Sequence, residues 1–180
     1  AIAGNRRNHF AHYNYAYVLS RESMDESGWV TGYPTETAEI MRKSLLEAIN
    51  INPNFTESYE LLAFINLVNN ENLDQAISLM NKALQLQPGN DDYLMKIAHI
   101  YLRQQKFDEA EKIAAKIAKT ASEPAMRSQA ENILSNIKAV RQNLEEAKKF
   151  GETENFAENI PSGSVMKSSL TAEQIAKIES

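Results

Sequence analysis

Apolar positions along this chain recur every three to four residues, in segments divided by short polar turns, the pattern of amphipathic helices packed on one another. Residues 8–22, NHFAHYNYAYVLSRE, predict a first helix, with Phe10, Tyr13, Tyr17 and Val18 at helical spacing and Ala16 as a small residue on one face. The pattern stops over SMDESGWVTGYPTE, Ser23 to Glu36, where Gly28, Gly32 and Pro34 forbid a continuous helix. Thr35 or Thr37 can then cap a helix running to about Asn50, with Met41, Leu45 and Ala48 inward. Two more pairs follow. Thr56–Val68 leads to Leu73–Leu86, with Asn72 and Gln75 at the spacing of a capping box. A helix capped by Asn90 or Asp91 leads to another that begins near Phe107, where Asp108 and Glu109 suit the N-terminal turn. Residues 123–149 predict one long helix, with Pro124 in its first turn and Ile133, Leu134, Ile137, Val140 and Leu144 as its apolar stripe. Arg127, Lys138, Arg141, Lys148 and Lys149 are left for solvent. Beyond Phe150-Gly151 the chain turns polar, and Thr171 with Gln174 marks a short terminal helix.

From Leu45 to Ala118 the punctuation itself repeats. Ala48 stands five residues before Pro53, Ala83 stands five before Pro88, and the prolines are 35 residues apart. Ala63 and Ala98 fall mid-helix, Leu73 and Phe107 open the next helix, and Ala76 and Ala110 follow in phase. In these positions the chain resembles a tetratricopeptide repeat (TPR) protein, whose period is about 34 residues. The first helix fits too, with Tyr15 and Ala16 in the places of the large–small pair. The third repeat fits best, through Ala98, Tyr101, Phe107 and Ala110; it departs where Ile117 replaces a small residue and the closing proline waits until Pro124. The resemblance implies an all-α fold, an α-α superhelix of about three helical hairpins plus a C-terminal capping helix. On this reading residues 1–150 form the array, with an insertion at about 23–36 in the first repeat, and 151–180 form a polar tail.

Composition narrows the chemistry. An apolar content of 43% suits a globular chain, and 6 glycines with 5 prolines argue against an all-β protein with many tight turns. The net charge of −5 is uneven: residues 51–88 hold four acids and one base, residues 124–150 three acids and five bases. Neither block makes the clustered basic face that nucleic acid requires, so no nucleic-acid partner is expected. Without cysteine there is no disulfide framework, thiolate or zinc knuckle. No apolar run is long enough to span a bilayer. Ala1-Ile2-Ala3 has the small-residue pattern of a signal-peptidase site, but the sequence shows no apolar region before it to support that reading.

Catalytic signatures are missing. His9 and His12, at i and i+3, could reach one ion, but no third ligand is near and no HExxH occurs; solvated or partly packed histidines are the better reading. No serine lies in GxSxG, no glycine loop cradles phosphate, and Asp91-Asp92 are explained by helix capping. No enzymatic activity, metal or cofactor is expected.

What remains is the surface that the family resemblance assigns to partners. First helices of successive TPR repeats line a concave groove for a peptide or protein segment. Carried onto this chain, the lining is Phe10, Tyr13, Tyr17 and Arg21, then Glu60, Phe64 and Leu67, then Met95, Lys96, His99, Leu102 and Arg103. Aromatics, a methionine and a few charges suit a protein partner, though they could also merely pad the groove. Where some relatives clamp a chaperone's C-terminal carboxylate, this chain offers Tyr13, Tyr17, Leu61, Phe64 and Asp92, and only Lys96 keeps a basic head, which argues against that ligand. Trp29, in the insertion, is a candidate partner anchor or a cap that folds back on the first repeat. The tail, with Ile160, Val165, Met166, Leu170, Ile175 and Ile178, offers packing on the array or self-association. Phrases such as YVLSRESMDESGWVTGYP also resemble repeat segments of bacterial proteins with an upstream zinc-peptidase-like domain. That resemblance implies a non-catalytic regulatory or substrate-presenting segment of a larger, exported (periplasmic) protein.

Overall fold

A computed structural model describes residues 8–25 and 30–150, and these form seven helices: α1 (His9–Glu22), α2 (Thr35–Ile51), α3 (Thr56–Val68), α4 (Leu73–Leu86), α5 (Asp91–Arg103), α6 (Phe107–Thr120) and α7 (Pro124–Phe150). Among the described residues there is no strand. The fold is an all-α helical repeat. The chain divides into two compact units, one through Ala110 and one from Glu111.

In the first unit α1 pairs with α2 and α3 with α4, while α2 packs on α3 and α4 on α5. The first helices of the hairpins, α1, α3 and α5, also touch in succession. The alanines read from the sequence as helix crossings are all buried: Ala16, Ala48, Ala63, Ala76, Ala83, Ala98 and Ala110. A methyl group is all that fits where two helix axes approach closely. Around those crossings Met41, Leu45, Leu61, Leu62 and Ile65 form one apolar cluster, with Ile49, Phe64 and Leu79 packed against it. Each such aliphatic side chain contributes about 1.5–3 kcal/mol on leaving water.

Both inner hairpins turn in the same way. After α3 the Asn70 backbone enters the left-handed region (φ 54°), and after α5 Gln105 does so (φ 60°). Glu71 N–H then donates to Asn66 O and Asn70 N–H to Leu67 O, while Lys106 N–H donates to Tyr101 O and Gln105 N–H to Leu102 O. These are two Schellman caps, built without glycine. The hairpins also close alike at their open ends. Gln87 Nε2 donates to Thr56 Oγ1 at 2.9 Å across α4 and α3, and Asn52 Nδ2 lies 3.2 Å from His9 Nε2 across α2 and α1.

Helix starts differ in part from the sequence expectation. Asn90 caps α5 by accepting from Tyr93 N–H, and Asn8 caps α1 by accepting from Phe10 and Ala11 N–H. Neither Thr35 nor Thr37 caps α2; Pro34 occupies that position and makes no side-chain bond. The Asn72–Gln75 capping box does not form either. Asn72 is left-handed (φ 47°) and its side chain bonds no helix amide, while Gln75 Oε1 accepts from Asn66 Nδ2.

Twelve residues, 23–34, separate α1 from α2, against four, 69–72, in the next hairpin. The returning end of this insertion is fixed to the array. Asn69 Oδ1 accepts from Tyr33 N–H at 2.7 Å, its Nδ2 donates to Tyr33 O at 3.2 Å, and the Tyr33 side chain is buried in the cluster.

In the second unit Ala114 and Ile117 of α6, Ala121 just after it, and Ala130, Ile133 and Ile137 of α7 are buried. Leu134, Val140 and Leu144 are half-buried, and Arg127, Lys138 and Lys148 exposed. Arg141, expected to face solvent, donates instead to Glu111 at 2.7 Å. Trp29 and the tail 151–180 lie outside the described residues.

Candidate protein-binding face

The residues proposed to meet a partner come from α1, α3 and α5, all within the first unit. On α1 the inward face is His12, Ala16 and Ser20. Phe10, Tyr13 and Tyr17 therefore flank the core rather than fill it, and Phe10 is 52% and Tyr17 45% exposed. Phe55, just before α3, reaches into this group. Its ring meets Tyr13 edge-on at 5.1 Å, Phe10 at 5.1 Å and His9 at 5.0 Å, while Tyr13 and Tyr17 stack at 5.9 Å. Such edge-to-face and stacked contacts fix the rings with respect to one another.

Polar groups continue the same face. Lys96 of α5 lies 2.9 Å from the Glu60 carboxylate of α3, and its ammonium sits 6.0 Å from the Tyr93 ring centre. Burial pushes the Tyr13 phenol above its usual range, and the Glu60 and Glu57 carboxylates push it the same way. His99, one turn beyond Lys96, has its imidazole pulled below the ordinary value by burial and then by the Lys96 charge. It is thus held toward the neutral form, able to donate at one nitrogen and accept at the other.

Tyr13, Tyr17, Glu60, Lys96 and His99 thus fall on successive first helices. Arg21 is exposed in the last turn of α1, while Phe64 and Arg103 are half-buried. Of the expected lining, Met95 at 4% and Leu67 at 6% exposed are buried. The expected lining lacked Phe55, His9 and Glu57. Phe55 precedes its helix and so escapes any helical period; its place two residues after Pro53 was the only signal.

His9 lies among Phe10 and Phe55 while His12 is buried on the core side of α1. Among the described residues no group of three or more histidines and carboxylates could hold an ion, and no helix is long and apolar enough to cross a membrane.

Helical hairpins with alanine at every crossing and a row of first helices along one face define a helical-repeat protein. Residues 67–128 match the family model of the tetratricopeptide repeat, and this match together with the seven helices supports a TPR-type repeat protein. Repeats of this family are generally protein-interaction modules. No curated protein matches the chain.

Proposed function

We propose that this protein is an interaction scaffold that takes a peptide or protein segment along the face of α1, α3 and α5. The observation that carries the reading is the aromatic group of Phe10, Tyr13, Tyr17 and Phe55, whose outer rings stay half-exposed although an apolar core lies one helix face away. Rigid rings of this kind give large contact area at little entropic cost, and interface centres favour them. Glu60, Lys96, His99, Arg103 and Arg21 supply polar contacts that set register, and Phe64, packed against the core cluster, adds apolar contact. Because Lys96 is already paired with Glu60, a partner's carboxylate would have to displace that pair, which speaks against recognition by charge alone.

The test is capture of partner from cell extract. Tyr17→Ala combined with His99→Ala should weaken capture about tenfold or more, as loss of a central aromatic does, with helicity retained. Leu46→Ser, at an exposed position on α2, is the control and should capture normally. Undiminished capture by the double variant would move the site elsewhere. Two narrower readings have their own tests. A role as a non-catalytic segment of a bacterial peptidase-like protein requires an HExxH helix in the reading frame upstream of Ala1. Self-association through residues 151–180 requires that their removal change elution volume.

A further inference from the structure

The internal repeat makes each hairpin a control for the others. Aligning Ala16 with Ala63 and Ala98 places Tyr15 with Leu62 and Ile97, and Val18 with Ile65 and Ile100. In the second and third repeats these positions are sealed: Leu62 is 2%, Ile65 0%, Ile97 3% and Ile100 1% exposed. The second helix of the preceding hairpin packs on each of these helices, α2 on α3 and α4 on α5. Leu62 and Ile65 share one cluster with Met41 and Leu45 of α2. In the first repeat the same two positions hold large apolar side chains that stay open, Tyr15 at 44% and Val18 at 51%. The equivalence extends to the helix start, since Asn8 Oδ1 accepts from Ala11 N–H as Asn90 Oδ1 accepts from Tyr93 N–H.

We propose that the α1 face carrying Ala11, Tyr15 and Val18 is a second docking surface, and that it takes an amphipathic helix of the α2 and α4 kind. That helix bears large apolar side chains at i and i+4 with alanine at i+7 for the crossing, as Met41, Leu45 and Ala48 do. The surface is independent of the aromatic face, because Tyr15 and Val18 lie on the opposite flank of α1 from Tyr17. The α2 and α4 helices of a second copy cannot supply the occupant: their stripes, from Met41 and Leu45 to Met80 and Ala83, are already buried in their own chain. The helix comes instead from a polypeptide with an uncommitted stripe. It would bring Tyr15 and Val18 to the burial of their repeat equivalents, and a charge at position 18 would oppose it strongly.

The test supplies such a helix at high local concentration. A copy of residues 55–89, which holds α3 and α4, is joined directly before Asn8, so that Asn8 follows a Pro-Gly turn as Asn90 does. The extended protein should melt about 5 °C or more above the parent, and the α1 amides should exchange more slowly. Val18→Glu should leave the parent's melting within about 2 °C yet abolish both gains in the extended protein. Three results would each overturn the proposal. One is an added hairpin that gives no protection of α1. Another is a gain that survives Val18→Glu. The last is a parent dimer, seen in sedimentation, that Val18→Glu dissolves, which would assign the face to a second copy.

Discussion

Gln105 sits in the left-handed region at φ 60° with a full side chain, in a turn position where glycine carries no steric penalty. Gln105→Gly should therefore raise stability by about 0.5–1 kcal/mol, a gain readable in denaturant melts. Asn70→Gly should gain less, since asparagine tolerates this conformation better; a loss in both would mean that the side chains, not the backbone, hold these turns. Ala98 makes the opposite case. It is fully buried at a crossing, so Ala98→Leu should cost about 1–3 kcal/mol, whereas Lys112→Ala on the exposed side of α6 should leave melting unchanged. Equal shifts would contradict the repeat phase. The pH dependence also belongs to single residues. Burial and Lys96 hold His99 below its usual 6.5, so the unfolded chain binds that proton first as pH falls. Stability should then drop from about pH 6.5 downward and level off once the folded imidazole protonates too. His99→Gln should flatten this part of the profile, and matching curves for the two proteins would show that other groups set it. The crossing alanines were legible in the sequence because their steric reason is local and repeats. The Asn72–Gln75 box was not: its spacing fits a cap, but the left-handed Asn72 backbone, set by the turn before it, prevents the bond.

At the scale of elements, α3 and α4 began and ended where the apolar period and the turn residues placed them, since each hairpin buries its stripe against a neighbour. The insertion was visible too, as a run of glycine and proline where a tight turn would suffice. Its attachment was not, because Asn69 lies in a polar turn, NNEN, that reads as solvent-facing. There it pairs with both backbone groups of Tyr33, which would otherwise be left without partners beside a buried ring. Asn69→Ala should cost about 1–3 kcal/mol, and it should raise proteolytic cutting between α1 and α2. A variant that melts normally and is cut no faster would mean that Tyr33 anchors the insertion by burial alone. The aromatic group was half legible: Tyr13 and Tyr17 stand at helical spacing, while Phe55 joins them only through the fold.

For the whole molecule, the claim that matters most is that partners engage the face of α1, α3 and α5 rather than the outer surface of the hairpins. Positions 17 and 46 are matched for this purpose, because Tyr17 and Leu46 are 45% and 52% exposed yet lie on a first and a second helix. A photo-crosslinking amino acid placed at either site in the full chain, and irradiated in cells, reports directly which surface a partner covers. A discrete covalent adduct from position 17, with none from position 46, is the expected result. An adduct from position 46 with none from position 17 would contradict it and place the working surface on the second helices.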